Sequence, residues 1–294
     1  PCAASALAVL LGIGPYPIAA KDVRVENVSQ LYKAMKRARA GDTITLAPGK
    51  YLIKNKLQTT VAGEVDRPIV VRADSLGKAL ISSRSVIAFH ISESYWIFEN
   101  LDIRGDCTQH HNCEHAFQIT GNAIAATIRN NRLHEFNAMI KLNLGKVRRK
   151  GTKKVDVVFP SDVLIEGNAF FNSTPRKTTR PVSLINLDGG RHHIVRGNLI
   201  ANFSKAIGNK VAYGAFMKAL VRDGVFERNL VICELTHSGT QRVGLSFGGG
   251  GSPLKIRDEP VGDYEALDGI IRNNIIMNCP ESVGVYLNKS GNTK

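Results

Sequence analysis

Six short segments each carry one polar residue between apolar neighbours, and these polar residues are the ones best placed to do chemistry. They are Phe117-Gln-Ile119, Ile140-Lys-Leu142, Ile185-Asn-Leu187, Phe216-Met-Lys-Ala219, Leu245-Ser-Phe247 and Val285-Tyr-Leu287. Read as strands, they turn their apolar members inwards and present Gln118, Lys141, Asn186, Lys218, Ser246 and Tyr286 as one outward row. Stacked strands lie ~4.8 Å apart, so Lys141 and Lys218, two coils apart, are expected about 10 Å from each other. Two ammonium groups at that distance suit a chain with an acid group on every unit. A lysine whose pKa is lowered by neighbouring positive charge can take a proton, and a tyrosine can return one. Lys218, Tyr286 and Lys141 are therefore candidate catalytic residues, and Asn186 is a candidate substrate contact. A solvated lysine is the plain alternative for either one alone; two on one row with Tyr286 favour a working surface. Arg222, His237 and Arg242 lie in segments flanking Lys218 and Ser246, where they are candidates to bind acid groups. The row offers only Asp188, at a strand end, as a carboxylate. Hydrolysis, which needs paired carboxylates, therefore ranks below proton abstraction.

Positioning such a row requires a repeat, and the sequence has one. Ile97-Phe-Glu-Asn100, Ile128-Arg-Asn-Asn131, Leu164-Ile-Glu-Gly-Asn168, Ile194-Val-Arg-Gly-Asn198, Val225-Phe-Glu-Arg-Asn229 and Ile270-Ile-Arg-Asn-Asn274 place Asn at spacings of 31, 37, 30, 31 and 45. A period of this size marks a solenoid. The rungs are short, β-branched and bounded by Asn and Gly, so they predict strands. The expected fold class is all-β: a right-handed parallel β-helix with the six Asn residues stacked at one corner. Asn172, Asn202 and Asn278, four places on, support the same register. Ser29 to Ala40 predicts an amphipathic helix with Gly41 as its stop, capping the open end of the stack. Lys146 to Lys154 reads as a mobile basic loop. Gly248 to Gly251, with neither a Lys-Ser/Thr nor a helix after it, reads as a flexible turn rather than a phosphate loop.

The chain has 294 residues, 43% of them hydrophobic, with Lys+Arg 39 against Asp+Glu 25 and a net charge of +14. That balance favours polyanionic partners and leaves nucleic acid, acidic glycans and anionic membrane surfaces open. Residues 1–20 are uncharged and apolar up to Lys21. They read as a signal-peptide remnant, leaving 21–294 as one β-helix domain truncated at its C-terminus. No stretch is long and apolar enough to span a bilayer. Export, to the periplasm or beyond, makes nucleic acid an unfavoured partner. So does an aromatic content of 6%, which offers few stacking platforms. Cys107-Thr-Gln-His-His-Asn-Cys113-Glu-His115 has the ingredients of a zinc site. In an exported chain a Cys107–Cys113 disulfide is the preferred reading. Cys233 and Cys279 follow successive repeat Asn residues, either as stacked thiols or as a second bridge.

Ala40-Gly-Asp-Thr-Ile-Thr-Leu-Ala-Pro-Gly-Lys-Tyr51, followed by Arg67-Pro-Ile-Val-Val-Arg72-Ala, resembles the secreted β-helix polysaccharide lyases of the chondroitinase B and alginate lyase family, polysaccharide lyase family six. The terminal Tyr286-Leu-Asn-Lys289-Ser-Gly-Asn-Thr is similar to the family segment whose Lys is the catalytic base. The resemblance thus implies Lys289 as base and an acidic polysaccharide as substrate, cleaved by β-elimination by a protein expected to act as a monomer. It also implies calcium, held by acidic residues five and seven places before that Lys; here those places hold Gly284 and Ser282, so the ligand motif is not matched and no cofactor is expected. A non-catalytic glycan-binding or surface-structural β-helix, and a uronate C5-epimerase, remain as alternatives.

Overall fold

The computed structural model describes residues 19–148, 151, 155–249, 264–280 and 282–294; the expected signal segment lies outside them apart from Ala19 and Ala20. The chain enters through a strand, Asp22–Val25, and a helix, Val28–Arg37, whose N-cap Asn27 accepts a hydrogen bond from the Gln30 N–H at 3.0 Å. Leu31 and Met35 of that helix are buried against the first coils, so the expected cap is present, ending three residues before Ala40.

Beyond it the chain winds as a parallel β-helix. A representative coil places Thr127–Arg129 in a first sheet, Arg132–His134 in a second and Ile140–Asn143 in a third. The next coil repeats this with Leu164–Glu166, Ala169–Phe171 and Val182–Asp188, each strand parallel to its predecessor. The three sheets hold nine, eight and eight strands. The winding is right-handed, the sense in which parallel strands connect. Ile128, Ile165, Val195 and Phe226 from the first sheet meet Leu133, Phe170, Ile200 and Val231 from the second, and Leu142, Leu187, Met217 and Phe247 from the third. All are buried, because alternation sends every second side chain into the same narrow core.

The Asn corner forms, with one correction. Asn131, Asn168, Asn198, Asn229 and Asn274 stack: each of the first four donates its Nδ2–H to the next Oδ1 at 2.9–3.0 Å. Asn100 is not in this ladder. Leu101 takes that position, giving its N–H to Asn131 Oδ1, while Asn100 lies one place earlier beside Asn130. The reason is conformational. Asn100, Asn130, Gly167, Gly197, Arg228 and Asn273 form a column in the left-handed region, with φ between 50° and 64°, which Asn and Gly tolerate best. In the coil of Trp96–Glu99 the left-handed Asn is present and the ladder Asn is missing.

The third sheet has a bend that the sequence reading did not anticipate. Tyr213 and Phe216 stack with ring centroids 4.6 Å apart, although strict alternation would send them to opposite faces. Gly214 and Gly244 sit at the bend. A Cβ at Gly214 would meet the Gly244 oxygen at 2.6 Å, and one at Gly244 would meet the Gly284 oxygen at 2.5 Å, so only glycine admits the stack. Disulfides join Cys107 to Cys113 and Cys233 to Cys279. Gly145–Arg148 and Val155–Val158 pair antiparallel, so the segment expected as a loose basic loop leaves the stack as a hairpin; 149, 150 and 152–154, like 250–263 with much of the expected glycine turn, lie outside the described residues.

Candidate active site

The outward row of the third sheet is built much as expected, with one substitution. Pairing runs Gln118, Lys141, Asn186, Phe216, Ser246, Tyr286. Phe216, not Lys218, stands beside Asn186. Lys218 lies two residues further along the strand, opposite Asp188. Both Phe216 and Lys218 share the outward parity, so alternation alone left a two-residue ambiguity in register.

That shift changes the chemistry. The two lysines are not separate charges over solvent; they converge on one carboxylate. Lys141 Nζ lies 2.5 Å from Asp188 Oδ2 and Lys218 Nζ lies 3.8 Å from Asp188 Oδ1. Lys218 Nζ also stands 4.9 Å over the Phe216 ring, a cation–π contact that ties it to the Tyr213–Phe216 stack. All three charged side chains are largely buried. Burial holds the Lys141 amine below the ordinary lysine range, helped by Lys218 and opposed by Asp188. The Tyr213 phenol is pushed up by burial, then by Tyr286 and Glu265, so it keeps its proton.

Tyr286 stands at the far end of the same row, and Lys289 follows directly on the strand that carries it. Asn288 Nδ2–H donates to the Tyr286 hydroxyl at 3.1 Å, which leaves the phenolic proton available to give. Lys289 is exposed and left-handed at φ 53°, at the edge where the third-sheet strand ends. Its carbonyl accepts from the Glu265 N–H at 2.7 Å, and a small ladder of Val221–Arg222, Ala266–Leu267 and Ser290–Gly291 continues from this edge. Arg222 belongs to that ladder and stays close to the row. Asn186 is buried, its Oδ1 without a hydrogen-bond partner.

Two expected contacts go elsewhere. Arg242 is buried, paired with Glu234 and with the Gly239 carbonyl, because it begins its strand at the corner rather than in the outward row. His237 bridges Ser204 Oγ and the Asn172 carbonyl, both at 3.1 Å, and lines a separate cavity of about 570 Å³ with Glu234, Thr236 and Asn278. Tyr213, Phe216, Asp188 and Glu265 are the residues that sequence reasoning missed or undervalued. Only the recurring Gly at 214, 244 and 284, one place before an apolar residue, hinted at the bend that exposes Tyr213.

The residues present do not fit a calcium ion. Gly284 offers no side-chain oxygen, Ser282 Oγ accepts from the Arg242 N–H at 2.9 Å, and no cluster of three His, Cys, Asp or Glu suited to a metal occurs among the described residues.

Residues 25–144 match the family model described as Chondroitinase B. The chain resembles the chondroitinase B family. The matched stretch contains the cap and the coils up to Lys141; Lys218, Tyr286 and Lys289 lie beyond it. Among solved structures the chain is similar to an alginate lyase from Paenibacillus sp. str. FPU-7, at 16% identity and a TM-score of 0.48, covering 92% of this chain and 99% of that one. It is also similar to a family-six polysaccharide lyase from Pseudopedobacter saltans, at 15% and 0.43, over 87% of this chain and 63% of that one. A third is a pectate lyase from Bacillus sp. N165 in complex with trigalacturonate, at 12% and 0.46, over 88% and 83%. No match to a curated protein is found.

Proposed function

We propose that this chain is an exported polysaccharide lyase that cleaves an acidic, uronate-containing polysaccharide by β-elimination on the outer face of its third sheet. What supports the reading is the third-sheet row that carries Lys141 and Tyr286, with Lys218 beside Asp188 on the same sheet and Lys289 just past the strand of Tyr286, together with the match of residues 25–144 to the Chondroitinase B model. Two disulfides and the apolar start of the chain support export.

In this reading the polymer lies along the stack, and Lys141 and Lys218, held by Asp188, each bind an acid group. At the cleaved sugar, Lys289 Nζ takes the C5 proton. The C–H electron pair forms the C4–C5 double bond, the C4–O bond breaks, and the leaving oxygen takes the Tyr286 proton. Tyr213, kept protonated, is a second donor on the same face.

The test is incubation of the full chain with a panel of uronate polysaccharides, following ultraviolet absorbance of the new double bond together with product length. Absorbance that rises as chains shorten supports the lyase. Binding without either change favours the non-catalytic glycan-binding reading, and altered uronate stereochemistry without scission favours the epimerase.

A further inference from the structure

We infer that Asp188 is a positioning residue: its carboxylate, fixed on a rigid glycine turn, holds the Lys141 ammonium charged and aimed on the third-sheet face. Asp188 ends the strand Val182–Asp188 and is followed by Gly189 and Gly190, both left-handed at φ 80° and 85°. A Cβ on Gly189 would overlap the Phe159 ring, and one on Gly190 the Pro160 carbonyl oxygen. The turn is tied on both sides. The Gly189 N–H donates to the Lys218 carbonyl at 2.8 Å, and fully buried His193 bonds the Gly189 carbonyl through Nε2 at 2.9 Å. The carboxylate therefore has little freedom, and Lys141 must come to it, reaching one coil along and two residues across.

The charged and titratable groups that act on Lys141 are Asp188, Lys218 and His115. Gln118 and Asn186, its partners in register, are neutral. Burial and Lys218 both disfavour the ammonium, while Asp188 favours it. Without the carboxylate, the largely buried Lys141 ammonium would lose the partner that favours its charge while Lys218 stays close, and it would shed its proton at lower pH. Asp188 thus lets a buried lysine keep the charge needed to bind an acid group.

This inference rests on the lyase reading only for its kinetic consequence, so the test has one arm without substrate. Lys141 in the intact chain is acylated with acetic anhydride over a pH series, and the modified peptide is quantified by mass spectrometry. In Asp188→Asn the labelling midpoint is expected to move to lower pH; in Lys218→Met it is expected to move to higher pH. Should Asp188→Asn fail to fold, Asp188→Ser removes the same carboxylate and is read in the same way. In the second arm, Asp188→Asn raises KM for a uronate polysaccharide roughly 10- to 100-fold, the order of one lost charge-assisted contact, with kcat nearly unchanged. An unmoved midpoint in the Asp188 variant, or a fall in kcat with KM constant, overturns the inference. A wild type that cleaves nothing while the midpoints move as stated sinks the lyase reading and supports the role of Asp188.

Discussion

The outer faces of the first and third sheets are made on the same rungs, yet they treat charge in opposite ways. On the first sheet Arg72, Glu99, Arg129, Glu166, Arg196, Glu227 and Arg272 follow one another in a single column, each beside a neighbour of opposite sign. Arg129, Arg196 and Arg272 pair with the Glu one rung earlier at 2.6–2.7 Å. The Arg196 guanidinium is pushed up by its hydrogen bond to Glu166. On the third sheet two lysines share Asp188 in a largely desolvated patch, and the Lys141 amine is pushed down. On the first sheet each charge has neighbours of opposite sign only, and although Glu99 and Glu227 are largely buried their arginines stay exposed. Lys141 and Lys218 reach the same carboxylate from the rungs on either side of it, where burial strengthens each charge–charge contact.

The largest expected effect would break the third-sheet side of this contrast. Lys289→Ala should lower kcat about 100- to 10,000-fold with circular dichroism unchanged, since it removes the proton acceptor. Lys218→Ala should mainly raise KM, and equal rates for wild type and both variants would falsify the site.

Acid should then separate the two faces. Burial lowers His115 and His193 from the ordinary 6.5 to about 4. The unfolded chain takes up these protons first, so their stabilisation is complete above pH 6.5 and is lost as pH falls towards about 4, each on the order of a few kcal/mol. His115 lies near Lys141 and His193 holds the Asp188 turn. Hydrogen exchange during acidification should therefore open third-sheet amides before those of the first sheet, and simultaneous opening would count against the contrast.

Smaller still, Gly214→Ala should cost roughly 1–3 kcal/mol in denaturant unfolding, because its Cβ meets a backbone oxygen at 2.6 Å that cannot swing away. Least of all, Glu166→Gln on the exposed first-sheet column should cost below about 1 kcal/mol and leave turnover unchanged. A loss of activity there would show that the charge ladder does more than support the coil.

Much of this was legible from residue order. The Asn spacing gave the coil because a side chain that bonds its own copy one turn later repeats at the coil length, and the apolar pattern between Asn residues gave the strands. Lys141, Asn186 and Tyr286 fell on the outward row because a strand has a period of two. Asn100 was misassigned because Asn suits both the left-handed position and the ladder position next to it, and only the stacked hydrogen bonds tell them apart. The Cys107–Cys113 bond was preferred over a zinc site from the expectation of export, and the structure forms it. The site itself was decided in three dimensions. Whether Lys218 faces Asn186 or Asp188 depends on a two-residue register that period two cannot resolve, and the bend at Gly214 that turns Tyr213 outwards exists only when glycines from three coils stack. Arg242 shows the same limit: its charge was visible in the sequence, but its burial against Glu234 depends on where a corner falls between two sheets.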